Sequence, residues 1–69
     1  SIPAFTWSGT INMNTSVYIT HNLGYNPIIA TSGTVGNVQL TFAYSNSNTL
    51  RVNNYNVSSN NWTGTIYFW

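Results

Sequence analysis

A chain of 69 residues is one domain, residues 1–69, near the lower limit for folding without a disulfide, a metal or a partner chain. It holds one arginine, no lysine, aspartate, glutamate or cysteine, and a formal net charge of +1. Disulfides, thiolate zinc sites and carboxylate-held calcium or magnesium are thereby excluded, and nothing is left to neutralise nucleic-acid phosphates or anionic lipid.

The predicted elements are strands. Phe5–Ile11 alternates apolar and polar side chains, as a strand covered on one face does. Asn12–Asn14 is a turn, and Val17–Ile19 is the second strand. Asn22–Asn26 connects onward within the stretch HNLGYNP, where Gly24 supplies a positive φ and Pro27 pushes Asn26 into an extended conformation. Pro27–Thr31 is a short apolar run whose proline suits the first position of a strand. Turn-formers over Ser32–Asn37 follow. Val38, Leu40, Phe42 and Tyr44 then alternate with Gln39, Thr41 and Ala43, the cleanest period-two pattern in the chain. After the turn-formers of Ser45–Asn48, Leu50–Val52 begins a fifth strand. Asn53–Asn61 is a further stretch of turn residues, and Trp62–Trp69 is the sixth strand.

No apolar positions recur at helical spacing, and no apolar run approaches the roughly 18 residues of a membrane helix, so membrane insertion is not expected. Six short strands at a spacing of about ten residues predict an all-β domain, a small six-stranded antiparallel β-sandwich or barrel. Because the chain starts at Ser1 rather than methionine, it is expected to be a fragment of a longer protein.

Asparagine, serine and threonine fill 30 of the 69 positions. Ordinary domains carry about a quarter charged residues, and a soluble monomer needs mixed charge on its surface. A surface this neutral predicts a chain held in an assembly, with oligomerisation supplying what the small core lacks.

Catalysis is not expected. Acid–base glycoside cleavage needs two carboxyl groups, a serine triad needs the carboxylate that orients its histidine, and thiol or Schiff-base chemistry needs Cys or Lys. No cofactor motif is present. His21 is the only histidine. Three copies on a three-fold axis could hold a transition metal; the plainer expectation is a turn histidine whose ring nitrogen bonds a nearby carbonyl or hydroxyl, with no metal.

What remains is recognition by rings, amides and hydroxyls. Trp7, Trp62, Trp69, Tyr18, Tyr25, Tyr44, Tyr55 and Tyr67 are many large rings for so small a core. Rings beside amide and hydroxyl groups suit a neutral sugar; most of these rings are equally suited to the core and to subunit contacts. The candidate ligand-binding residues are Arg51, Asn53 and Tyr55 on one face of the fifth strand, Asn61 and Trp62 (with Asn60) leading into the sixth, and His21, Asn22 and Tyr25 in the turn. Arg51, the only permanent side-chain charge, offers a five-donor fork suited to hydroxyl or carboxylate groups. Asn56-Val57-Ser58 and Asn61-Trp62-Thr63 match the glycosylation acceptor pattern, which chance alone supplies in an asparagine-rich chain.

The pattern VYITHNLGYNPIIATSG … VQLTFAYSNSNTLRVNNYNVSSNNWTGTIYFW, from about Val17 to Trp69, resembles the H-type lectin domain. The resemblance rests on a loop with a proline before a Val/Ile strand, Tyr44-Ser45 ending the fourth strand, and a last strand that ends in Trp69. It implies a six-stranded antiparallel sandwich, a homotrimer and sugar binding near the subunit contacts. The HNLGYNP turn and the charge-poor composition also resemble C-terminal domains of bacteriophage tail fibres. Two departures keep the galactosamine site of that family from carrying over. Galactosamine-binding members have an arginine before the Tyr-Ser pair, where this chain has Ala43, and an aromatic-histidine pair falls near Val57-Ser58, where neither residue matches.

The resemblance thus implies a trimeric tip of a phage tail fibre, extracellular on the virion, that recognises a bacterial surface glycan. A purely structural trimerising tip, a cellular lectin or adhesin, and a cell-wall-binding module on a lysin remain open beside it.

Overall fold

The structure, a computed structural model, describes residues 1–33, 40–55 and 60–69. Its strands in chain order are β1 (Phe5–Ile11), β2 (Thr15–Thr20), β3 (Ile29–Gly33), β4 (Thr41–Asn46), β5 (Thr49–Asn54) and β6 (Trp62–Phe68). They form two three-stranded sheets, β1-β6-β3 and β2-β5-β4, and all pairings are antiparallel. Over the described residues the chain is therefore all-β with six antiparallel strands, as the alternation predicts.

Boundaries moved where tertiary contacts outweigh local preference. β3 begins at Ile29 rather than Pro27, because a proline has no N–H to give a ladder; Pro27 is instead buried just ahead of the strand. β4 runs on to Asn46 through a bulge between Tyr44 and Asn46, leaving Ser47 and Asn48 to make the turn into β5. Asn53 and Asn54, expected in a turn, complete β5. Asn54 is fully buried, and its amide donates to the carbonyls of Ile11 at 3.0 Å and Asn60 at 2.9 Å. It thereby ties the end of β5 to β1 and to the approach to β6. The predicted strand residues Val38 and Gln39, the turn residues Thr34–Asn37, and Asn56–Ser59 lie outside the described residues.

In the connections, Asn14 (φ 58°), Asn22 (φ 57°) and Gly24 (φ 78°) take left-handed backbone conformations. Asparagine and glycine tolerate that region best. Gly24 thus has the conformation its position in HNLGYNP predicts.

The core draws on both sheets: Ile11, Trp62, Ile66 and Phe68 from one, Ile19, Leu50 and Val52 from the other. Two Trp-x-Gly repeats shape the first sheet, Trp7-Ser8-Gly9 and Trp62-Thr63-Gly64. Residues two apart on a strand share a face. Gly9, Gly64 and Gly33 are also register partners across β1, β6 and β3, so the three glycines form a bare strip on the core side. The Trp62 ring lies on that strip: a Cβ at Gly33 would meet its Cε2 at 2.6 Å, and one at Gly64 its Cζ2 at 2.8 Å. Without side chains at those positions, a whole indole fits beside the sheet backbone.

β3 and β4 supply no fully buried apolar residue. Phe42 and Tyr44 pair with Val52 and Leu50, so they point to the core side of their sheet, yet they stay 39% and 49% exposed. Tyr44 Oη donates to the Pro27 carbonyl at 2.6 Å, linking β4 to the segment ahead of β3. Exposed Ile28 adjoins that link. Burial is thus lopsided: the buried strand residues come from β1, β2, β5 and β6, while β3 and β4 are only partly covered.

Candidate functional site

The outer face of the β2-β5-β4 sheet is set by parity. Leu50, Val52 and Asn54 turn inward, so Arg51 and Asn53 turn outward, and Tyr55 follows them just beyond the strand. On β2, Val17 and Ile19 turn inward, which leaves Ser16 and Tyr18 outward. Register then decides the neighbours. Arg51 stands between Tyr18 and Ala43, and Asn53 stands between Ser16 and Thr41.

These side chains form one connected group. Ser16 Oγ lies 2.7 Å from Asn53 Oδ1 and 3.0 Å from Tyr55 Oη, and its single proton can go to either acceptor. Asn53 Nδ2 donates to Thr41 Oγ1 at 3.3 Å. The Arg51 guanidinium carbon sits 5.8 Å from the centre of the Tyr18 ring, within cation–π range. Arg51 Nη2 makes only a long contact to Ser16 Oγ, 3.4 Å, and its Nε is enclosed with no hydrogen-bond partner. The Tyr55 phenol is held below its ordinary pKa, first by the hydrogen bond from Ser16 and further by the neighbouring Arg51 guanidinium, against an opposing desolvation effect.

The result is an exposed plate of side chains on the outer face of the sheet, and no pocket opens among the described residues. Tyr18 and Tyr55 are 62% and 55% exposed, and between them lie a guanidinium, an amide and hydroxyls. Such a plate can offer ring faces to apolar C–H groups and neutral donors and acceptors to hydroxyls.

The expected site residues separate into three groups. Arg51, Asn53 and Tyr55 come together on the plate, joined by Ser16, Tyr18 and Thr41, which the sequence did not single out. Asn22 and Tyr25 are exposed in the β2–β3 connection. They lie beyond the Thr20–Thr49 end of the sheet, while Tyr55 leaves the other end of β5, about 17 Å away at the usual strand rise. Asn61 is exposed, and its Oδ1 accepts the Met13 backbone N–H at 2.9 Å, which holds the β1–β2 turn.

Two expectations need correction. Trp62 is only 4% exposed; its ring fills the space over Gly33 and Gly64 and offers no face to a ligand. His21 is likewise 4% exposed. Its Nδ1 accepts the Leu23 N–H at 3.0 Å, its Nε2 is enclosed, and its ring packs 5.5 Å from that of Phe68. Nδ1 is thus taken up within the turn and Nε2 is enclosed by the fold, so the ring does not lie open at the surface of the turn.

No family model, curated protein or solved structure matches the chain. The functional reading therefore rests on the residues and their placement.

Proposed function

We propose that this chain is a glycan-binding module, not an enzyme, which assembles as a homotrimer at the tip of a bacteriophage tail fibre and meets a bacterial surface glycan there. The two-sheet arrangement is read as a β-sandwich. One observation carries the proposal: exposed Tyr18 and Tyr55 flank Arg51 and Asn53 on an open, hydroxyl-rich face of a chain almost without charge. An exposed sheet face can meet a long polymer along its length, whereas small-molecule sites are concave. The resemblance to H-type lectins adds a point of register. The arginine that galactosamine-binding members place before Tyr-Ser is alanine here, but Ala43 pairs directly with Arg51. A guanidinium is thus returned to that part of the sheet from the neighbouring strand.

Binding to an array of bacterial glycans tests the reading. The wild-type protein is expected to mark a restricted set of glycans, and Tyr18→Ala to lose most of that signal with an unchanged circular dichroism spectrum. Uniform absence of signal would remove the proposal.

A second reading has its own observation. The half-exposed Phe42 and Tyr44, with exposed Ile28, form an uncharged apolar area around β3 and β4. That area suits contact with further copies, so the domain could serve as a structural trimerising tip. The two readings are compatible, because the plate and the apolar area lie on opposite faces of the β2-β5-β4 sheet.

A further inference from the structure

Arg51 is the only permanently charged side chain in the sequence, and the sequence contains no aspartate or glutamate. No side chain of this chain, nor of any further copy of it, can therefore supply a carboxylate to the guanidinium. Its surroundings on the plate are all neutral: the Tyr18 ring, the Ser16 hydroxyl, the Asn53 amide and the Tyr55 phenol. Among the described residues its side-chain contacts are the long 3.4 Å hydrogen bond from Nη2 to Ser16 and the neighbouring Tyr55 phenol, whose pKa it helps to lower. The cation lies over a ring and beside an array of hydroxyls, with no fixed counter-charge among the described residues.

We infer that the glycan met by this plate is acidic, with a sugar-ring carboxylate that pairs with the Arg51 fork while the ring lies against Tyr18 or Tyr55 and its hydroxyls meet Asn53 and Ser16. The inference rests on the glycan-binding reading and narrows its ligand class. A guanidinium presents parallel N–H donors at the spacing of two carboxylate oxygens, and charge-assisted bonds of this kind are about twice as strong as neutral ones. A neutral sugar would use the hydroxyls and rings but leave the single cation matched only by water. The composition alone suggests a neutral sugar; the isolation of Arg51 on the plate is what changes the expectation.

The test uses an array of bacterial surface polysaccharides printed twice, native and after chemical reduction of their carboxyl groups to alcohols. Wild-type protein is expected to mark carboxylate-bearing polysaccharides and to lose at least tenfold in signal on their reduced forms. Signal should fall several-fold between low and high salt, as a screened ion pair requires. Arg51→Gln should lose the native signal to a similar degree, and Arg51→Lys, which keeps the charge without the fork, should fall between. Circular dichroism and light scattering of both variants should match wild type. If reduced polysaccharides are marked as strongly as native ones, or Arg51→Gln binds unchanged, the acidic-ligand inference is overturned while glycan binding stands. If nothing is marked in either form, both fail.

Discussion

Trp62 lies against the backbone of Gly64, two positions along the same strand, so closely that a Cβ at Gly64 would come within 2.8 Å of its Cζ2. The same Cβ would also run into Gly33 Cα and the Ser32 carbonyl oxygen of the neighbouring strand. Backbone cannot swing aside as a long side chain can. Gly64→Ala should therefore push β3 away from β6 and cost about 3 kcal/mol, at the upper end of ordinary overpacking. A domain of this length has a total stability of only about 3–10 kcal/mol. The expected result is a fall in melting temperature of more than about 10 °C, or a protein that does not fold. An alanine variant with an unchanged melting temperature would refute this packing.

Asn54 makes a separate stability prediction. Its side chain is buried, and it serves two carbonyls, those of Ile11 and Asn60. Asn54→Ala leaves both acceptors short of a donor, and the one on Ile11 is buried. Each such loss costs about 1–3 kcal/mol, so urea unfolding should show a loss of about 2–4 kcal/mol. Asn53→Ala, on the outer face of the same strand, should cost less than about 1 kcal/mol.

The strands and their inward faces were legible because alternation records burial directly. Phe5–Ile11 is the clearest case, read and found with the same limits. The end of β5 was not legible. Asn53 and Asn54 look like turn residues, and what keeps Asn54 extended, its pairing with Thr15 on β2 and its amide bonds to the carbonyls of Ile11 and Asn60, joins segments that local sequence does not connect. Trp62 was misread for a different reason. Large rings in a polar chain suggest ligand stacking, but the glycine two positions on, repeated after Trp7, was the available sign that these rings lie on bare backbone. Ser16, and the place of the Tyr18 ring beside Arg51, are not legible in the sequence because they depend on the β2–β5 pairing, which joins segments far apart in the chain. A single sequence states parity well and pairing poorly.

The Tyr55 phenol offers a prediction in alkaline solution. Its folded pKa lies below the ordinary 10.0, chiefly because Ser16 donates to it. An acid whose pKa is lowered by folding adds stability above its unfolded pKa and loses that addition as pH falls through the folded value. Phenolate absorbance near 295 nm should show a step below pH 10 that Tyr55→Phe removes and Ser16→Ala moves upward. Relative to Tyr55→Phe, the wild-type protein should gain a little stability above about pH 10 and none from this source at pH 7. A step untouched by both variants would show that Ser16 and Tyr55 are not in contact.

The assembly prediction concerns Ile28, which is 75% exposed in the single chain. Light scattering at micromolar concentration should give three times the 7.7 kDa chain mass. Within one chain Ile28 loses little area from water, so Ile28→Asn should change the stability of an isolated subunit by no more than about 0.5 kcal/mol. If the area around β3 and β4 joins copies, the same variant should shift the population toward monomer with an unchanged circular dichroism spectrum. A wild-type protein that stays monomeric and well folded would count against the trimeric tip.

The measurement that bears most directly on the central claim is binding of fluorescently labelled protein to bacterial cells before and after chemical stripping of their surface glycans. Three linked sites should hold a cell far better than one site holds free sugar, so even a weak plate gives a clear signal. Wild-type protein is expected to label intact cells of a susceptible strain and to leave stripped cells dark, and Tyr18→Ala to label neither while remaining folded and trimeric. Equal labelling of intact and stripped cells, or labelling of neither by the wild-type protein, would contradict glycan recognition by this face and leave a structural tip as the better account.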